Sequence, residues 1–327
     1  MNRTRLGSLL LVAATPLACT AACGARSELF GSVESLPNDA GVPPVDAPAP
    51  VDSPPPGVDA PGLDVKPRDV VPLAVCADAS DTLIYAVTEK NTLVKFNPSS
   101  AVFTPIGSLS CPDPLGRSPF SMAVDRQGNA YVLYFAPAGT ASTPGNIFKV
   151  DLNNAHCQAT TYVPGQSGFL GFGMGFAADD VGTSETLYVA SSDTAPGRLG
   201  AVNEKTLALS VVGTFPSNVL GAELTGTGDG RLFAFFNSSS NLGTSSIGEI
   251  DKHSGALLGQ VALPQVVQGN GWAFAFWGGD FYTFTAPGTI GGTVVQRYRP
   301  ADGTVVEVAR YSEVIDGAGV STCAPVE

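Results

Sequence analysis

Histidine and positive charge are scarce in this chain: two His and 17 Lys plus Arg stand against 29 Asp plus Glu in 327 residues. The formal charge of −12 leaves little to neutralise phosphate and argues against a nucleic-acid partner. His156 and His253 sit in turn-like contexts without ligand spacing, so they read as turn residues rather than metal ligands or general bases. No C-x-x-C pair occurs, which argues against a thiolate zinc site. A Gly-His…Trp-Asp signature is also missing, which excludes a WD40 array. Beyond residue 22 no apolar run is long enough to span a bilayer as a helix. Charged residues make up only 14% while glycine reaches 38 residues, a turn-rich β composition rather than that of a helical bundle.

The first residues have the pattern of a targeting leader. Arg3 and Arg5 are basic, Leu6 to Ala14 are apolar, and small residues follow. Thr20-Ala21-Ala22-Cys23-Gly24 resembles a bacterial lipobox, with Thr20 where Leu is usual. Residues 1–22 are therefore expected to be a lipoprotein signal peptide, with Cys23 carrying the lipid anchor to the membrane. Acylation at Cys19 or plain secretory cleavage are the alternatives. Gly24 and Ala25, with no Asp after the Cys, match lipoproteins passed on to the outer membrane; the membrane face, periplasmic or exterior, is left open. Residues 23–72 form a disordered linker rich in Pro and Asp, as in Val51-Asp52-Ser53-Pro54-Pro55-Pro56. From Pro37 to Pro72 the prolines favour extended polyproline II, which at about 3.1 Å per residue predicts a reach on the order of 100 Å.

Residues 73–327 repeat one phrase about every fifty residues, the signature of a copied supersecondary unit. A short first strand is rich in small residues: Ser121 to Val124, Gly173 to Phe176, Gly221 to Leu224, Trp272 to Ala275 and Gly317 to Val320. A second carries an aromatic, at Tyr85, Tyr131, Tyr188, Phe233 and Tyr282. The third closes on a turn former, as in Phe96-Asn97-Pro98, Val150-Asp151, Val202-Asn203, Ile250-Asp251 and Tyr298-Arg299-Pro300. The fourth alternates and is exposed, as in Thr304 to Val308. Four antiparallel strands per unit make a propeller blade. The last inner-type strand has no successors and the first repeat lacks an inner strand, so the predicted fold is an all-β β-propeller of five four-stranded blades closed by the C-terminal strand. Six blades is the alternative, if Leu73 to Cys76 begins another.

Without the leader and Cys23, four cysteines remain, and an oxidising destination favours disulfides. Cys76 and Cys323 flank the array, so one bridge between them would lock the ring; Cys111 and Cys157 occupy matching places in the first two repeats and form the second expected pair. Asp125-Arg126-Gln127-Gly128 and Gly228-Asp229-Gly230-Arg231 read as tight turns, with calcium binding by their carboxylates as the sharper alternative; no other cofactor and no transition-metal site is indicated. Glu223 is the oddest residue, a carboxylate where other inner strands carry Ala or Gly. It must reach channel water, pair with a cation or bear a desolvation penalty, so it reads either as a ligand or acid/base group on the channel wall or as a structural lock bonded to neighbouring backbone or to an Arg. The candidate ligand-binding residues are Glu223, Asp229, Trp272, Trp277 and Asp280, aromatics beside carboxylates suiting a sugar or a cation. Filling the space between blades is the alternative role of such aromatics. No catalytic set is discernible.

The segment Cys23 to Leu29, the acidic Pro-rich stalk, and the phrases GFGMGF (171–176), GAELTGTGDGRLF (221–233), WAFAFWGGDF (272–281) and GAGVSTCAP (317–325) resemble a family of bacterial lipobox proteins with a β-propeller head. The resemblance spans nearly the whole chain and implies the fold and the anchor but no reaction. Three functional readings follow: an interaction or ligand-binding head whose partner is a protein, glycan or small molecule; a metal-assisted hydrolase or lyase using Glu223 with Asp125 and Asp229; and a structural envelope component.

Overall fold

The computed structural model describes residues 63, 66, 76, 82–136, 143–181, 183–192, 194–238, 244–288 and 291–327, which fall within one compact unit, Gly57–Glu327. The leader 1–22, Cys23 and all of the 23–72 linker except Leu63 and Lys66 lie outside the described residues.

The described strands form five four-stranded antiparallel sheets. Blade 1 holds β1 (Ile84–Thr88), β2 (Thr92–Asn97) and β3 (Val102–Ser108). Blade 2 holds β4 (Ser118–Val124), β5 (Asn129–Phe135), β6 (Asn146–Asp151) and β7 (Cys157–Ala159). Blade 3 holds β8 (Phe172–Ala178), β9 (Glu185–Ser191), β10 (Arg198–Val202) and β11 (Leu209–Thr214). Blade 4 holds β12 (Leu220–Gly226), β13 (Leu232–Asn237), β14 (Ser245–Ile250) and β15 (Leu257–Leu263). Blade 5 holds β16 (Trp272–Trp277), β17 (Asp280–Thr285), β18 (Thr293–Arg299) and β19 (Thr304–Tyr311). The last strand, β20 (Ile315–Gly319), returns to pair with β1, Ala86 opposite Ala318, and supplies the missing inner strand of blade 1. The chain is thus a five-bladed propeller sealed between its two ends.

Inner strands pack in sequence around the ring, β20 on β4, β4 on β8, β8 on β12, β12 on β16 and β16 back on β20. Their small residues permit this approach. A Cβ on Gly173 would lie 2.1 Å from the Ala222 carbonyl oxygen, and one on Gly317 would lie 2.8 Å from the Met122 nitrogen. Aromatics fill the wedge between blades, where the gap widens outward. Between blades 4 and 5, Phe233 stacks on Phe276 at 5.9 Å and meets Phe281 edge-on at 4.9 Å. Four of the five third strands end on an Asx turn for the reason their residue type suggests: Asn97, Asp151, Asn203 and Asp251 each accept the backbone N–H two residues on, at 2.8–3.0 Å.

Both expected disulfides are present. Cys76–Cys323 joins the two ends of the array, and Cys111–Cys157 ties the β3–β4 connection to the outer strand of blade 2. Leu63 belongs to the buried cluster of Phe233, Phe276, Phe281 and Tyr298, and an Arg231 guanidinium N–H donates to the Lys66 carbonyl at 3.2 Å. The head's contacts therefore extend back to two residues that the sequence pattern places in the linker.

Candidate ligand site at the channel mouth

All five inner strands run the same way through the ring, so the channel has an entry end, where they begin, and a far end, where they finish. Three of the five are irregular near the entry end. In β4, Pro119 and Ser121 face Tyr134 and Leu133, which leaves Phe120 as the extra residue. In β12, Leu220 and Glu223 face Asn237 and Phe235, with Gly221 in a left-handed conformation at φ 57°. In β20, Ile315 and Gly317 face Thr88 and Val87, which leaves Asp316 as the extra residue. A bulge re-aims the side chains around it. Here Phe120, Glu223 and Asp316 converge on one cavity of about 150 Å³, with Asn270 and Trp272 on its wall.

Glu223 is 3% exposed. The Ser121 hydroxyl donates to its Oε2 at 2.7 Å and accepts the Met174 N–H at 3.0 Å, so one hydroxyl links inner strands of blades 2, 3 and 4 inside the ring. No cation pairs with Glu223 among the described residues. Burial pushes its carboxyl well above the usual carboxylate range, against the pull of the Ser121 and Met174 donors, and the Asp316 charge adds to the rise. Asp316 is raised to about 7, first by burial and then by the Glu89 charge beside it. Its Oδ1 lies only 3.0 Å from where a Cβ on Gly271 would stand, so the absence of a side chain there leaves room for the carboxyl. The Trp272 indole N–H donates to the Gly221 carbonyl at 3.1 Å; the left-handed glycine thus fixes the ring at the cavity wall.

The five sequence candidates divide between the two ends of the ring. Glu223 and Trp272 share the entry cavity. Trp277 closes β16 and Asp280 opens β17 directly opposite it, across a two-glycine turn at the far end. The Trp277 indole donates to the Thr82 carbonyl at 2.7 Å, while Asp280 faces Arg299 at 3.3 Å and Arg297 at 3.5 Å. Asp229, also beyond a strand end, is buried and accepts from the Thr227 hydroxyl. Asp125 is engaged by its own turn, accepting from the Asn129 backbone at 2.8 Å and from its side-chain amide. Among the described residues no group of three or more His, Cys, Asp and Glu converges as a metal site.

At the far end Arg126 is the organising residue. Its Nε donates to Thr322 at 2.6 Å, its backbone N–H to Glu185 at 2.7 Å, and Thr322 in turn donates to Glu185 at 2.6 Å. Burial raises the Glu185 carboxyl despite these bonds. A larger open cleft of about 420 Å³ adjoins Glu185 on blade 3 and includes Glu204, raised to about 7 by burial and the nearby Glu185 and Asp125 charges. Sequence reading missed Asp316, Phe120 and Asn270. The one available signal was a second carboxylate directly ahead of a Gly-Ala-Gly inner strand.

Fold and site together define a five-bladed propeller with an acidic, aromatic mouth. The chain matches no protein-family model and no curated protein. Among solved structures it is similar to a chain in the crystal structure of a nidogen/laminin complex, at 10% identity and a TM-score of 0.45, over 74% of this chain and 99% of that one. A luciferin-regenerating enzyme is similar at 15% identity and TM-score 0.42, over 66% and 69% of the two chains. TolB from Acinetobacter baumannii is similar at 13% and 0.42, over 72% and 55%. At these values the likenesses carry no argument about function.

Proposed function

We propose that this chain is a lipid-anchored protein of the bacterial cell envelope whose propeller head binds a small ligand at the entry end of its channel. The observation that carries the reading is the cavity itself: three β-bulges turn side chains toward one small space, floored by a buried carboxyl and walled by an indole. Binding sites of this kind combine apolar walls with a few placed polar groups. Anchoring rests on the leader pattern and Cys23, with the Pro/Asp-rich segment as spacer to the head.

Two measurements test the proposal. A thermal-shift screen of the full-length protein against small amines, sugars and carboxylates, repeated with Trp272→Ala, should give hits that the variant loses; hits indifferent to Trp272 would place binding elsewhere. Labelled fatty acid should be incorporated by the parent and not by Cys23→Ala. Equal labelling of both would move the anchor.

A further inference from the structure

The entry cavity has an imbalance that narrows the chemistry of its ligand. Glu223 and Asp316 both line it, and Glu89 stands beside Asp316. The one lysine of the adjoining β1–β2 turn, Lys90, lies 3.8 Å from Glu313, which also accepts from the Thr88 hydroxyl at 2.7 Å. No described cation is paired with Glu223 or Asp316. The rest of the wall is Pro119, Phe120, Gly271 and Trp272, with Ser118 and Asn270 as its neutral polar groups. Because the Trp272 N–H is taken by Gly221, what the indole offers the cavity is hydrocarbon and π-electron density.

We infer that the ligand is a small organic ammonium, held by the carboxylates of Glu223 and Asp316 and by the Trp272 ring. This deepens the ligand-binding reading above and rests on it. An ammonium favours the ionised form of both carboxyls, which burial otherwise disfavours, and its charge is drawn to the indole face as an anionic or neutral ligand is not. A hard metal ion fits less well, since no group of three or more His, Cys, Asp and Glu converges among the described residues, and one oxygen of Glu223 is already taken by the Ser121 hydroxyl. Size sets a further limit. At about 30 Å³ per water, 150 Å³ is space for roughly five waters, enough for an amine or trimethylammonium group but not for an oligosaccharide.

The probe pair is choline and 3,3-dimethylbutan-1-ol, which share a shape and differ in charge, titrated calorimetrically into the full-length protein at pH 8. Choline is expected to bind at least tenfold more tightly than the alcohol, with Asp316→Asn and Trp272→Leu each weakening choline at least fivefold. Asp316→Asn removes a partly buried charge and should fold at least as well as the parent, so its result stands whatever Trp272→Leu does to folding. Equal affinity for both probes would overturn the ammonium assignment and leave the ligand site intact. Failure of both probes, where other compounds of the screen bind in a Trp272-dependent way, would also overturn it. Failure of every compound would remove the ligand site as well. Choline lipids carry the same headgroup, so flotation with phosphatidylcholine vesicles runs in parallel: retention that free choline competes away assigns the lipid, and binding of free choline alone assigns the soluble amine.

Discussion

Replacing Asp316 with Asn should stabilise the protein, and only above a defined pH. The carboxyl titrates at 3.8 when unperturbed and at about 7 in the folded head, where burial dominates and Glu89 contributes. A raised carboxyl means that the native state holds its proton longer than the unfolded chain does. The associated stability is therefore complete below pH 4 and is lost as the pH climbs through 7. At about 1.36 kcal/mol per pH unit, the interval from 3.8 to about 7 corresponds to roughly 4 kcal/mol. Asn has nearly the shape of Asp and carries no charge, so it should match the parent near pH 4 and exceed it by up to about 4 kcal/mol at pH 8. For a head of this size that is a gain in Tm on the order of 10 °C. Urea denaturation of parent and variant at pH 4, 6 and 8, with disulfides intact, reads the difference directly. A constant offset across the series would show that folding leaves the carboxyl's proton affinity unchanged, a less stable variant at pH 8 that the ionised carboxylate makes a favourable contact, and either would refute the reasoning.

Other perturbations probe the frame. Gly173→Ala would push a methyl into the Ala222 carbonyl, and the β8–β12 seam should lose about 3 kcal/mol, seen as a lower urea midpoint. Removing the Cys76–Cys323 bridge with paired serines frees a separation of 247 residues and should cost about 5 kcal/mol, whereas the 46-residue Cys111–Cys157 separation should cost less; equal losses would contradict a role in closure. Arg126→Ala strands Glu185 in a site where both side chains are no more than 3% exposed and should cost about 3–5 kcal/mol. Adding Glu185→Gln to Arg126→Ala should recover part of that loss, and no recovery would mean that the pair is not the relevant contact.

Much of the architecture was legible in the sequence because each blade position has its own steric demand. Crowding at the axis selects Gly173 and Gly317, the widening wedge selects the aromatics at Tyr131 and Phe233, and the turns select Asp151 and Asp251. Ring closure made Cys76 and Cys323 neighbours on topology alone. The site was legible only in part. Glu223 stood out because a carboxylate breaks the small-residue pattern, but the bulges at Phe120, Gly221 and Asp316 depend on what the neighbouring strand does. A register shift leaves no local mark in a single strand. Trp272 and Trp277 look like one aromatic cluster in sequence, yet they are the two ends of a six-residue strand. At about 3.3 Å per residue they stand roughly 17 Å apart, at opposite mouths of the channel.

The pairing of β20 with β1 also governs biosynthesis. While the ribosome is still translating residues before Ile315, the opening blade lacks its axial strand, and β1 presents a bare edge to whatever strand comes near. Native completion must wait for β20, so until Ile315–Gly319 are made the edge of β1 is open to mispairing, and a stop before Ile315 leaves an open crescent rather than a smaller wheel.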